Sequence, residues 1–160
     1  ELALRLFGLR VVQEAWKWTA DKSPAVIVFF GSIFSARIEM TGRTEKEKAL
    51  LEAVEGAVEK VRPEAKRQIK TRMFYPYISD SSFMAVCDDT LAIRALEENM
   101  PQYGVKYVHP VDKIRRIDVP VVNIGTFGRD GHMLTERVDM QQTFQNVPNI
   151  TYETICRLLG

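Results

Sequence analysis

The segment Thr44–Val61 constrains the fold most. Thr44-x-x-Glu47 has the form of a capping box, in which a hydroxyl and a carboxylate each take up an orphan backbone N–H at a helix start. Leu50, Leu51, Val54, Ala57, Val58 and Val61 follow at the spacing of one apolar helix face, and Pro63 is expected to close the element. A helix with a single apolar stripe buries that stripe against another layer of structure.

The rest of the chain predicts what that layer is. Leu2, Leu6, Leu9, Val12 and Trp16 recur at helical spacing over residues 2–18, and Asp21-Lys-Ser-Pro24 breaks the pattern. Ala25–Phe30 reads as a buried strand, and residues 31–42 continue it or pair beside it. Gln68–Met73 alternates, with Ile69 and Thr71 on one side and Lys70 and Arg72 on the other, and also reads as a strand. Asp88 or Asp89 caps a helix to about Asn99, which Pro101 and Gly104 end. A short helix over 110–117 and a strand over 119–125 follow, with Pro120 outside any central ladder. A glycine-bearing loop covers 126–137. The C-terminal residues are helical, with Asn149 as a cap and Pro148 as a break. The order α-β-(β)-α-β-α-α-β-α predicts an α/β fold with helices on a mostly parallel sheet and a boundary near Met40–Arg43.

Composition narrows the function classes. The 160 residues hold 22 basic and 21 acidic side chains, so no clustered positive charge points to nucleic acid. The longest apolar run, Ala25–Gly31, is far too short to span a bilayer, which needs about 20 residues. Cys87 and Cys156 are too few for a disulfide scaffold and suit a reducing, cytoplasmic setting. The chain opens without Met inside a helical pattern, as a piece of a longer polypeptide would.

Several residues can carry chemistry. His132 lies on a glycine-bearing loop after a strand, where α/β ligand sites form, and suits a metal ligand or a general base. The blander reading is a surface ring bonded to a backbone carbonyl. Ser79-Asp80-Ser81-Ser82 can contact substrate or the surroundings of a metal, or simply close an Asx turn. The Gly125-x-x-Gly128-x-x-Gly131 run lacks the Lys-Ser/Thr of a P-loop. Cys87 and His109 read as structural, and the basic residues 60–72 as a solvated face interrupted by acids.

Three strings together go further. Phe74-Tyr-Pro-Tyr-Ile-Ser-Asp80, then Pro120-Val-Val-Asn-Ile-Gly125, then Gly128-Arg-Asp-Gly-His132-x-x-Thr-Glu136-Arg137-Val138 resemble the C-terminal part of the dinuclear zinc peptidase family. That family includes acetylornithine deacetylases, succinyl-diaminopimelate desuccinylases and carboxypeptidase G. The nearest resemblance is to its arginine-utilisation branch, shared also by Glu47-Lys-Ala-Leu-Leu-Glu-Ala-Val54 and Asn99-Met-Pro101. The resemblance implies the C-terminal half of a three-layer zinc-peptidase-like sandwich over residues 43–160. Residues 1–42 would be the end of an inserted lid domain able to pair in a homodimer.

It also implies a zinc-dependent hydrolase acting on an amide of a small amino-acid or peptide-like substrate. His132 would bind one of two zinc ions, and Ser79, Asp80, Gly131 and Glu136 would line the substrate cleft. Residues 31–37 depart from the Pro- and Tyr-rich run of the arginine-utilisation branch. The family's His-x-Asp and Glu-Glu motifs are not in these 160 residues and would come from a missing N-terminal part. Two-metal hydrolysis needs those ligands and a base, so the chain alone is expected to be inactive and to hold zinc poorly. The alternative is a degenerate, non-catalytic α/β binding module of the same family.

Overall fold

A computed structural model describes residues 2–29, 38–75 and 80–160. It divides into two units, Glu1–Ser35 and Ala36–Gly160. The first contains α1 (Leu2–Trp18), at the predicted position, with Leu6, Phe7, Leu9 and Trp18 exposed. Thr19 ends it by donating its hydroxyl to the Trp16 carbonyl at 2.7 Å. The strand expected at 25–30 is not paired over its described residues 25–29. Its side chains do alternate, with Val26 and Val28 over 90% exposed and Ile27 and Phe29 about half as exposed. These residues are exposed and in no strand, so the expectation of a buried strand is corrected. Residues 31–37, which carry the departure from the family pattern, lie outside the described residues.

The second unit is built on α2 (Glu45–Val61). The Thr44 hydroxyl accepts from the Glu47 N–H at 3.1 Å, one half of the capping box. The other half is displaced by a residue: the Glu47 carboxylate accepts from the Arg43 N–H at 2.8 Å. Pro63 does not stop the chain at once. The last turn tightens into a 3₁₀ segment, Arg62–Glu64, where proline sits at an N-terminal position that needs no N–H.

The apolar face of α2 is buried as predicted. Val54, Ala57, Val58 and Val61 form one core with Ile150, and Leu50, Ile69, Val122 and Ile124 pack against it. Ile150 belongs to α5 (Val147–Leu159), which packs along α2. Lys60 pairs with Glu153 across the two helices at 2.6 Å, and Arg157 pairs with the same carboxylate at 3.1 Å. These cations hold the Glu153 carboxyl below its ordinary range.

The C-terminal helical stretch begins earlier than predicted. Asp139 caps it, accepting from the Gln142 N–H at 2.9 Å, rather than Asn149. A π turn over Gln142–Asn146 leads straight into α5, with the Val147 N–H bonded to the Gln142 carbonyl. Pro148 therefore does not break the helix. The π turn shifts the hydrogen-bond register just ahead of a residue that has no N–H to give.

The predicted sheet is the main correction. Two strand pairs occur among the described residues, and both are antiparallel: β1 (Ile38–Glu39) with β2 (Phe74–Tyr75), and β3 (Gly128–Arg129) with β4 (Arg137–Val138). The first pair is extended by the Met40 N–H donating to the Met73 carbonyl at 2.9 Å. Of the strand predicted at 68–73 only Met73 joins that ladder, and the strand predicted at 119–125 is in no strand pair among the described residues. The two stretches place Ile69, Val122 and Ile124 against α2, so side-chain burial is satisfied while the backbone ladder is not. Over its described residues the unit is thus an α/β-like fold of helices with small sheets, and the mostly parallel sheet expected is not found among them.

α3 (Thr90–Glu98) and α4 (Val111–Ile117) lie at the predicted positions. Asp89 caps α3, accepting from the Ala92 N–H at 2.7 Å. Between them, Gly104 takes φ +81°, a left-handed turn in which its N–H donates to the Tyr107 carbonyl at 2.8 Å. The following loop carries His109, only 2% exposed. Its ring lies 5.5 Å from the Phe83 ring, and its Nδ1 is 3.4 Å from the Tyr107 hydroxyl.

Burial pushes the His109 pKa below its ordinary value of about 6.5, against a weaker pull from Asp88. The unfolded chain therefore takes up this proton first as pH falls. The stability due to neutral His109 is complete above about pH 6.5 and is lost as pH drops towards its folded-state pKa. Denaturation midpoints are expected to fall between pH 7 and pH 5.5, and a His109→Gln variant to flatten that slope. The paired carboxylates Glu153 and Asp139, also shifted down, weaken the fold only in more acidic solution.

Candidate functional site

The sequence-predicted metal ligand stands at the tip of the β3–β4 hairpin. Gly128 allows the two strands to meet closely, since a Cβ there would lie 2.9 Å from the Arg137 carbonyl oxygen. Beyond it the chain turns through two left-handed non-glycine residues, Asp130 at φ +56° and His132 at φ +64°. Aspartate and histidine are among the few side chains enriched in this region. Gly131 lies between them, and nothing stands within 4 Å of where its Cβ would be.

The loop is held by its own polar groups. The His132 N–H donates to the Glu136 carboxylate at 3.0 Å. Arg137 donates to the Asp130 carboxylate at 2.6 Å, and the Thr135 hydroxyl donates to it at 3.2 Å. Backbone bonds from Met133 to Asp130 and from Glu136 to Met133 close the turn, both at 3.0 Å. The His132 residue is exposed, so its backbone is engaged while its residue faces solvent. Asp130 and Arg137 were not singled out in the sequence. Their opposite charges flanking a glycine turn are the signal for this ion pair.

The hairpin is tied to the rest of the unit at its base. The Asp139 N–H donates to the Phe127 carbonyl at 2.8 Å. Arg67 pairs with Asp139 at 2.8 Å and lies over the Phe127 ring, 4.4 Å from its centroid. Arg67 and the Gln142 N–H hold the Asp139 carboxyl below its ordinary range.

Of the predicted cleft residues, the structure joins Gly131 and Glu136 to His132 in one loop. Ser79 lies outside the described residues. Asp80 begins a 3₁₀ segment, Asp80–Phe83. In that segment the Ser81 hydroxyl donates to Asn123 at 3.2 Å, linking it to the strand-like stretch that leads to the hairpin. Two clefts occur near these elements. One, of about 300 Å³, is lined by Arg43, Glu47, Ser81 and Cys87 among others. Cys87 there donates to the Glu39 carbonyl at 3.3 Å, and the Arg43 guanidinium stands 3.7 Å from its sulfur. The other, of about 1150 Å³, runs between residues 67–74 and 121–127 over α2. Neither cleft is lined by Gly131, His132 or Glu136.

A catalytic zinc takes about three protein ligands and keeps one open position. Among the described residues no three His, Cys, Asp or Glu side chains gather into a group able to hold a metal. The hairpin offers one imidazole, and the neighbouring Glu136 carboxylate is already engaged by the His132 N–H. The donor set among the described residues does not fit a complete zinc centre. Among the described residues no helix is long and apolar enough to cross a membrane.

Comparison with known proteins gives two matches that run along nearly the whole of this chain. The chain is 26% identical to Protein RocB of Bacillus subtilis (strain 168) over 158 residues, 99% of this chain and 28% of that protein. It is 26% identical to Uncharacterized protein YqjN of the same strain over 163 residues, again 99% of this chain and 28% of the relative. The chain thus spans little more than a quarter of either relative. No family model matches it, and no solved structure does. At this identity the matches establish distant relatives and leave family membership as an inference.

Proposed function

We propose that this chain is the C-terminal portion of a zinc-dependent amidohydrolase acting on a small amino-acid or peptide-like substrate, with a place in arginine utilisation. The alignment of 99% of the chain with RocB carries this reading, because it supports the arginine-utilisation branch to which the sequence motifs point. On this reading residues 1–42 end a lid domain and residues 43–160 form half of a catalytic domain. The exposed Leu6, Phe7 and Leu9 on α1 suit pairing of two lids in a cytoplasmic homodimer.

The chain's own contribution is positional. The hairpin presents His132 with its backbone fixed by Glu136, so the ring is held without using either ring nitrogen in the turn. The remaining ligands and the base that activates water are contributed from outside these residues. Elemental analysis of the purified chain and of the longer polypeptide, with an assay on N-acyl amino acids, tests the reading. Well under one zinc per chain and no hydrolysis are expected for the 160 residues, and about two zinc ions with hydrolysis for the longer polypeptide. A tightly held zinc pair with activity in the chain alone, or a longer polypeptide that takes up no zinc, overturns it.

A further inference from the structure

The turn that carries His132 also holds the chain's single Asp-Gly step, Asp130-Gly131. Every other aspartate is followed by a residue with a side chain. Such a side chain shields the following nitrogen from the aspartate carboxyl, and glycine offers no shield. Attack within the dipeptide closes a five-membered ring, so the reacting groups need no encounter step.

The fold leaves this step open. Asp130, Gly131 and His132 are all exposed. The Gly131 N–H forms no hydrogen bond among the described residues, although its neighbours do. The His132 N–H donates to Glu136, and the Met133 N–H donates to the Asp130 carbonyl. Beyond its chain neighbours, no atom lies within 4 Å of where a Gly131 Cβ would stand, so a ring formed there meets no wall. One contact restrains the reaction. A single oxygen of the Asp130 carboxylate accepts from Arg137 at 2.6 Å and from the Thr135 hydroxyl at 3.2 Å. The carboxyl must leave both to reach the Gly131 nitrogen.

We propose that Asp130-Gly131 is a site of spontaneous isomerisation to isoaspartate, restrained by Arg137 and Thr135, and that the change dismantles the His132 turn. The Gly131 nitrogen bonds to Asp130 Cγ and gives up its proton. One carboxyl oxygen departs as water, carrying that proton and one from the carboxyl or the solvent, and a succinimide is left. Water then adds to a ring carbonyl, and the C–N bond at that carbonyl breaks. Breakage at Cγ restores aspartate. Breakage at the main-chain carbonyl leaves the chain running through Cβ and Cγ, with the former carbonyl as a free carboxylate. One water leaves and one returns, so no oxidant or reductant takes part.

The damage follows from the bonds of the turn. The main chain gains one carbon ahead of His132. The carbonyl that accepts from Met133 becomes a carboxylate, and the carboxyl that pairs with Arg137 becomes a peptide carbonyl. The bond from the His132 N–H to Glu136 depends on that turn and is lost with it. That a metal ligand is thereby displaced rests on the proposed function; the isomerisation does not.

The test holds the 160-residue chain at neutral pH and 37 °C beside a blocked peptide of residues 129–133. Isoaspartate at each aspartate is then read by digestion and fragmentation mass spectrometry. It is expected at position 130 and not at the other aspartates. The chain is expected to react up to about fivefold more slowly than the peptide, the factor that an exposed ion pair supplies, and Arg137→Gln to remove that difference. Gly131→Ala, for which the turn has room, is expected to slow the reaction by about tenfold or more, since a methyl group then hinders attack. In the isomerised fraction the His132 and Met133 amides are expected to exchange faster with solvent. No isoaspartate at 130 once the peptide has formed it, an equal rate at another aspartate, an Arg137→Gln chain no faster than the parent, or unchanged exchange in the isomerised fraction overturns the proposal. None of these readings involves zinc, so this test and that of the proposed function fail separately.

Discussion

Replacing Ile150 by alanine is expected to destabilise the chain by about 2–5 kcal/mol, read as a fall in the urea midpoint. Ile150 is 2% exposed and is the α5 residue in the core made by Val54, Ala57, Val58 and Val61. Truncation removes apolar atoms and leaves a cavity that two packed helices cannot close without moving. The surface pairs Lys60–Glu153 and Arg157–Glu153 cannot compensate, since pairs with one exposed partner are worth little. Ile150→Val is expected to cost about 0.5–1.5 kcal/mol, which separates cavity formation from helix propensity. Domains of this size are marginally stable, so the larger effect consumes much of the total. An Ile150→Ala midpoint equal to that of the parent would mean that α2 and α5 are not the core.

On the proposed function, in which His132 binds a metal, His132→Asn in the longer polypeptide is expected to lower hydrolysis by at least about 100-fold, with little change in stability. Loss of groups that merely support a metal already costs about 10–100-fold, and loss of a ligand costs no less. Asparagine is chosen because His132 sits at φ +64°, a conformation that asparagine tolerates and alanine does not. The hydrogen bond from its backbone to Glu136 survives the change, so the turn is preserved and only the imidazole is lost. Activity within about twofold of the parent would reduce His132 to a turn residue of the hairpin, as its positive φ alone would permit.

Much of this protein's helical structure was legible in its sequence because helices are built from near neighbours. The Thr44 and Asp89 caps, the apolar face of α2, and α1, α3 and α4 all rest on residues three or four apart. The Pro148 break was misread because the compensation lies upstream, in a π turn that no proline rule anticipates. Of the candidate site, residues 126–137 read as a loop but contain the paired strand residues of a hairpin, and the grouping of His132 with Glu136 came from the family resemblance. The Asp130–Arg137 pair and the Ser81–Asn123 bond required the fold, because each joins residues whose approach depends on a turn or a distant segment.

By itself the sequence determined α1 to α4 and the apolar face of α2, since these follow from local sterics and from periodicity. Only the tertiary structure decided pairing. Strand ladders are non-local, and the stretches at 68–72 and 121–124 keep their strand pattern while their backbones find no partner among the described residues. The same holds for any metal site: a coordination sphere is a convergence of distant donors, and among the described residues no such group gathers around the hairpin that carries His132.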